Sequence, residues 1–137
     1  MQNLQLVFPE IFLSLSIMFL LVLGVFKKNS SQLIQNISLI VLLITAVITF
    51  NETISINEKK LFNNSIVIDY LSSFMKIITL LAAFLVLIIS SNYLKTFKIF
   101  KIEYPILILC SVLGMMIMIS SNDLIVFYMG LELQSLA

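Results

Sequence analysis

The sequence contains four uninterrupted apolar runs, each about as long as a helix that crosses a lipid bilayer. A helix needs roughly 20 apolar residues to span a hydrocarbon layer of about 30 Å. These runs and a shorter fifth one predict helices at about 7–26, 33–50, 68–90, 104–120 and 123–137. We therefore expect an all-α, polytopic integral membrane protein with a single membrane domain, 1–137.

Composition supports a lipid environment. Hydrophobic residues make up 61% of the chain and charged residues 11%, whereas soluble domains contain roughly 45–50% apolar residues. The net charge is +1 and Arg is absent, so nucleic-acid binding, which needs a clustered basic face, is not expected. A single Cys110 without any His excludes an internal disulfide and a Cys/His metal cluster, and predicts a packing role for that residue.

The fifth run is too short for a complete crossing. It covers about 15 residues from Asp123 to Ala137. A helix that ended inside a bilayer would leave its last carbonyl groups without hydrogen-bond partners, at several kcal/mol each. The sequence therefore predicts the N-terminal part of a larger subunit or the product of a prematurely ended reading frame.

The positions of the lysines predict the orientation, because cytoplasmic loops are enriched in positive charge. With the N-terminus outside, five lysines fall in cytoplasmic loops and two in the external loop. The five are Lys27, Lys28, Lys95, Lys98 and Lys101, and the two are Lys59 and Lys60. We therefore expect a periplasmic N-terminus. The polar segment 51–64 is expected to be a connection with a short β-hairpin around Ile54–Ile56.

Two ionisable side chains near the beginnings of predicted helices suggest function, because a charge inside a membrane is costly. Glu10 follows Pro9 in the first turn of the first helix, which favours a capping role. Lys76 lies seven residues after Asp69, about 10 Å along the third helix and on roughly the same face. Either its long side chain reaches the headgroups, or it takes part in a buried ion pair or proton relay.

Glu132 gives the sharpest prediction. Nine residues of helix separate it from Asp123, which places it about 13 Å deep, close to the middle of the bilayer. A carboxylate at this depth cannot reach the surface, and a modest change in its surroundings can move its proton. We predict a proton-translocation role for Glu132, together with Lys76. The alternative is a protonated Glu that only holds helices together by hydrogen bonds.

Other motifs restrict the chemistry. Gly114 and Gly130 are predicted to let neighbouring helices approach closely. No GxGxxG, P-loop or CxxC motif is present, so the chain itself is not expected to bind NADH, flavin or an iron–sulfur cluster.

Four motifs in the last third of the chain resemble one family. They are Glu103-Tyr104-Pro105, Gly114-Met115-Met116, Ser120-Ser121-Asn122-Asp123-Leu124 and Tyr128-Met129-Gly130-Leu131-Glu132-Leu133-Gln134-Ser135-Leu136. They resemble helices 4 and 5 of the antiporter-like subunits of respiratory NADH:quinone oxidoreductase (complex I), above all the subunit N type. Weaker similarities upstream are Phe8-Pro9-Glu10, and Asp69-Tyr70 with Phe74 and Lys76.

This resemblance implies a function and a set of partners. It implies a fold of about fourteen helices with inverted repeats, in an inner-membrane complex that couples electron transfer from NADH to quinone to proton translocation. Glu132 would be the mid-membrane Glu of helix 5, which in the family pairs with a Lys of helix 7. The complex uses NADH, FMN, iron–sulfur clusters and quinone, and its other membrane subunits would be the partners. The chain would hold roughly the first third of such a subunit, so we expect the isolated chain to be inactive.

Alternatives stay open at this point. A subunit of a cation/proton antiporter or of a membrane-bound hydrogenase would share the Glu of helix 5. A small structural or assembly protein of the membrane, or a nonfunctional truncated gene product, would merely have inherited Glu132.

Overall fold

A computed structural model describes residues 7–26, 31–54, 59–61, 66–97 and 103–137. Within these ranges lie five helices and two short strands. The helices are α1 Phe8–Phe26, α2 Ser31–Ile54, α3 Tyr70–Phe97, α4 Glu103–Ser120 and α5 Leu124–Leu136, and the strands are β1 Lys59–Leu61 and β2 Ile66–Ile68.

Four of the described helices are long and apolar enough to cross a membrane. These spans are Phe8–Phe26, Ser31–Glu52, Tyr70–Ser91 and Glu103–Ser120, whereas α5 has only 13 residues. The predicted fold class is confirmed: the chain is an α-helical polytopic membrane protein. Helix α2 continues past the predicted end at 50 as far as Ile54, because polar residues such as Asn51 and Glu52 can continue a helix after its apolar run has ended.

The two strands form an antiparallel hairpin between α2 and α3. Ile66 of this hairpin also forms an isolated β-bridge with Ser121, directly after α4. The end of α2, the start of α3 and the end of α4 therefore lie at one end of the bundle. The sequence placed a hairpin around Ile54–Ile56, which is wrong in position because Ile54 is still helical; residues 55 and 56 lie outside the described ranges.

Helices α1 to α4 pack as a bundle around an apolar core. Helix α1 contacts α2 and α4, α3 contacts the same two helices, and α5 packs mainly against α4. The side chains that fill the core are Leu13, Leu20, Leu42, Leu80, Leu87, Leu109 and Met116. Large apolar side chains also cover the outward faces of the helices, as is required of helices surrounded by lipid.

A pair of glycines sets the distance between α4 and α5. A Cβ atom added at Gly114 would lie 2.8 Å from the backbone nitrogen of Gln134 and 2.8 Å from the backbone oxygen of Gly130. Backbone atoms cannot move aside as the end of a flexible side chain can, so this close approach requires glycine. The contact fixes the rotation of α5 against α4, and thereby the side of α5 on which Glu132 lies.

The buried face of α2 carries polar side chains spaced three, four and seven residues apart. They are Gln35, Ser38, Thr45 and Thr49. The three hydroxyl groups donate to backbone carbonyls one turn earlier in α2, whereas Gln35 Nε2 donates to the carbonyl oxygen of Leu87 in α3, at 3.0 Å. Glu52 continues this face three residues after Thr49, because positions three and four apart share one side of a helix.

Candidate functional site

Lys76 extends into the helix bundle. Only 2% of its surface is exposed, and its Nζ donates a hydrogen bond to Glu10 Oε1 as part of an ion pair. This contact joins α3 to α1. Of the two interpretations of Lys76, the extension to the headgroups is therefore wrong, because the ammonium group has a carboxylate partner inside the bundle. That partner is Glu10, on another helix, and not Asp69.

Glu10 is also buried, with 9% of its surface exposed. Its Oε1 accepts the hydrogen bond from Lys76, while its Oε2 is buried without a hydrogen-bond partner among the described residues. A buried polar atom without a partner costs about 1–3 kcal/mol. The sequence indicated that Glu10 caps the first turn of α1. Its carboxylate instead forms an ion pair with Lys76 of α3.

Glu52 is the third charged residue at this place. It is partly buried and interacts electrostatically with both Glu10 and Lys76. The polarity of the segment 51–64 predicted a connection there, so a place for Glu52 in this cluster was not predicted. Its spacing from Thr45 and Thr49, which continues the polar face of α2, is the signal that could have found it.

Glu10, Glu52 and Lys76, which we call the three-helix cluster, lie at the end of the bundle that carries the hairpin. Glu10 belongs to the first turn of α1, Glu52 to the last turn of α2, and Lys76 to the second turn of α3. With a rise of about 1.5 Å per residue, Lys76 lies about 9 Å from the beginning of α3. The ion pair of Lys76 with Glu10 thus lies just inside the apolar layer, at the end of the bundle where Glu52 also lies.

Glu132 lies elsewhere, on an exposed side of α5. It lines an open groove of about 440 Å³ between α4 and α5. The other residues of this groove are apolar: Ile117, Val126, Met129, Leu133 and Leu136. Gln134, on another side of α5, lines a separate groove with Met75 and Thr79 of α3. The structure therefore does not bring the two predicted proton-translocation residues, Glu132 and Lys76, together.

Comparison with known proteins identifies the family. No protein-family model matches the chain. A protein of Pelagibacter ubique named NADH-quinone oxidoreductase subunit N is 63% identical over 137 residues, which are 100% of this chain and 29% of that protein. Proteins of the same name from Maricaulis maris and Paramagnetospirillum magneticum are 42% and 41% identical, over 98% and 96% of the chain and 28% and 27% of their own lengths.

The chain belongs to the subunit N family. It spans less than a third of the length of these relatives. The resemblance found in the last third of the sequence is thereby confirmed and extends over the whole chain, including α1 to α3, where the motifs were weak. The names of the relatives do not favour the cation/proton antiporter or the membrane-bound hydrogenase.

Within the subunit N sequence, the two groups of ionisable residues differ in their surroundings. In the three-helix cluster, which combines residues of α1, α2 and α3, the Lys76 ammonium group is paired with the Glu10 carboxylate within the chain. Glu132 faces an open apolar groove instead. An ionised carboxylate among apolar side chains is costly within a bilayer unless it has a partner.

Proposed function

We propose that the chain forms part of a membrane subunit of a proton-translocating NADH:quinone oxidoreductase, in which Glu132 and Lys76 take part in proton translocation. The observation that carries this proposal is 63% identity to a protein of that name over all 137 residues. The geometry supports this proposal because both ionisable side chains lie on helices with mostly apolar surroundings.

Lys76 has the surroundings of a group that responds to charge. Its ammonium group lies in the bundle next to a carboxylate, where the low dielectric strengthens electrostatic interactions. Ionisable residues that pair with one another inside a membrane domain often mark a proton pathway.

Glu132 is suited to interaction with another helix. Its groove is open and lined by apolar side chains, so that a helix packed against it would remove Glu132 from lipid. The resemblance implies that a Lys on such a helix pairs with this Glu. A proton could then move when the pair forms or separates.

The location and partners form part of the same proposal. We place the chain in the inner membrane with a periplasmic N-terminus, in contact with other membrane subunits of the complex. NADH, FMN, iron–sulfur clusters and quinone would be bound by other subunits. The hairpin end of the bundle, with the three-helix cluster, then faces the periplasm.

Cysteine labelling tests the orientation. Single cysteines at positions 30 and 57, introduced by Ser30→Cys and Asn57→Cys in a Cys110→Ser background, precede α2 and β1 respectively. Because the lysine distribution places the first connection inside and the second outside, a membrane-impermeant maleimide added to intact cells should label position 57 only. Labelling of position 30 from outside would contradict the orientation.

A chimera tests the function. The chain replaces the homologous segment of subunit N in an organism with an active complex, and inverted membrane vesicles are assayed for NADH-driven acidification. We expect pumping to be retained, because the segment keeps the helix packing and both ionisable residues of the family. The native complex from the same strain is the control. An assembled chimera that oxidises NADH without pumping would argue against the proposal.

A further inference from the structure

We propose that a groove between α3 and α4 binds one acyl chain of an anionic phospholipid, whose phosphate group is attracted by the lysines of the segment 95–101. This groove, which we call the α3–α4 groove, is separate from the groove of Glu132. The proposal goes beyond the proposed function, since lipid binding can be measured without any pumping. It also does not depend on which end of the bundle faces the cytoplasm.

The α3–α4 groove has a volume of about 340 Å³ and is open to the outside of the bundle. It is lined by residues of α3 from Ile78 to Val86 and by residues of α4 from Ile108 to Met115. Buried Ala83 and Val112 form its floor, whereas Ile78 and Val86 at its rim are exposed. A lipid chain beside the bundle can therefore enter the groove from the side.

The lining of this groove suits a hydrocarbon chain. The described side chains that line it carry no charge, and the hydroxyl of Thr79 already donates to the carbonyl oxygen of Lys76, at 2.8 Å. The groove of Glu132 differs, because a carboxylate lines it. A hydrocarbon chain in the α3–α4 groove therefore leaves the Thr79 hydroxyl with its hydrogen bond, and no cost of an unpaired polar group arises there.

The size of the groove favours a thin occupant over a helix. Ile78 and Val86 lie eight residues apart in α3, a distance of about 12 Å along the axis. A helix segment of that length with a diameter of about 10 Å occupies roughly 900 Å³, more than twice the volume of the groove. A further helix would place single side chains in the groove, whereas a hydrocarbon chain can lie along it.

The groove lies at the depth of the acyl chains of one leaflet. Because the start of α3 and the end of α4 lie at one end of the bundle, Val86 and Ile108 are the groove residues nearest to the other end. Ile108 and Met115 follow Glu103, the first residue of α4, by five and twelve residues, about 8 and 18 Å along the helix. One leaflet fills half of a hydrocarbon layer of about 30 Å. A lipid with its headgroup at the start of α4 therefore places the inner part of a chain in the groove.

Positive charge at the same end provides a partner for the headgroup. The sequence between the last turn of α3 and the start of α4 contains Lys95, Lys98 and Lys101, next to one acid, Glu103. The segments 51–69 and 120–123, at the opposite end, contain four acids and two lysines. Each lysine near a membrane surface strengthens the binding of an anionic lipid roughly fivefold. The charge distribution therefore favours a phosphate group at the end of the bundle that Val86 and Ile108 approach.

Photo-crosslinking tests the proposal. The chain, in phosphatidylcholine nanodiscs, is illuminated with a small amount of phosphatidylglycerol that carries a diazirine midway along one acyl chain, and mass spectrometry locates the adducts. The same photoreactive chain on phosphatidylcholine is the reference probe. We expect adducts on α3 between Ile78 and Val86 and on α4 between Ile108 and Met115, at least about tenfold more abundant with phosphatidylglycerol.

One pair of variants examines the groove. Ala82 lines the groove with an exposed side chain, so Ala82→Phe fills it without disturbing the core and should lower these adducts at least about tenfold. Leu85→Phe, on an exposed side of α3 outside the groove, is the matched control and should leave them unchanged. Circular dichroism shows that both variants keep their helices. Adducts that persist in Ala82→Phe would contradict the proposed site.

A second pair of variants examines the headgroup. Lys98→Gln combined with Lys101→Gln should lower the preference for phosphatidylglycerol roughly fivefold for each lysine. Lys27→Gln combined with Lys28→Gln, between α1 and α2, should leave the preference unchanged. Equal labelling by the two probes, equal effects of the two double variants, or adducts spread evenly over the outward faces of the helices would overturn the proposal. Adducts that vanish in the chimeric complex would show that another helix covers the groove, and would overturn it as well.

Discussion

The variant Glu132→Gln, placed in the chimeric complex, is expected to lower proton pumping by roughly a hundredfold, the lower end of what a positioned proton-transfer group contributes. Gln keeps the size and hydrogen-bonding capacity of Glu but does not titrate. Because Glu132 lies on an open groove and not in the packed core, the subunit should still assemble. The measurement is NADH-driven acidification of inverted vesicles.

The variant Glu132→Asp distinguishes titration from simple helix association. Asp keeps the ionisable group and retracts it by one methylene, so a titrating role predicts more residual activity for Asp than for Gln. Association by hydrogen bonds predicts the opposite order, because Gln is the better substitute for a neutral acid. Both variants should be compared at equal subunit abundance. Normal pumping with Gln and impaired pumping with Asp would exclude the titrating role.

The helices could be predicted from sequence because their determinants are local. An apolar run of sufficient length predicts a membrane helix without any knowledge of its neighbours. The predicted ends of the helices were less accurate than their existence. Asn51 and Glu52 were assigned to a connection, although they continue α2. Polarity shows where an apolar layer ends, and a helix can extend beyond that layer.

The partners of the ionisable residues could not be predicted, because they depend on packing between distant segments. Lys76 and Glu10 are 66 positions apart, and nothing in either local sequence indicates the other. Helical spacing indicates only neighbours within the same helix, so it pointed from Lys76 to Asp69 and could not indicate Glu10 on another helix. Gly114 and Gly130, in contrast, were predictable as contact sites, since glycine in a membrane helix has few other uses.

The separation of Glu132 from the three-helix cluster suggests two kinds of ionisable site in one chain. The cluster contains a carboxylate and an ammonium group that form an ion pair within the chain. Glu132 has mostly apolar neighbours in its groove, and under the proposed function its partner lies on another helix. Changes in the cluster should therefore be visible in the chain alone, whereas changes at Glu132 should be visible only in the assembled complex.

The variant Lys76→Met is expected to destabilise the chain by about 3 kcal/mol, because removal of one partner of a buried ion pair leaves the other uncompensated. Glu10→Gln should cost less, since Glu52 remains beside Lys76 and the Gln amide oxygen still accepts a hydrogen bond. The measurement is reversible unfolding in mixed detergent micelles, followed by circular dichroism.

The double variant Glu10→Gln with Lys76→Met decides whether loss of the ion pair causes the destabilisation seen in Lys76→Met. Replacement of a whole buried ion pair by neutral groups is often close to neutral in stability, so Glu10→Gln combined with Lys76→Met should be more stable than Lys76→Met alone. The exposed Glu103→Gln serves as the control and should change the free energy of unfolding by no more than about 0.5 kcal/mol. Strictly additive effects of the two substitutions would mean that Lys76 and Glu10 are not coupled, since interacting residues give a non-zero coupling energy in such a cycle.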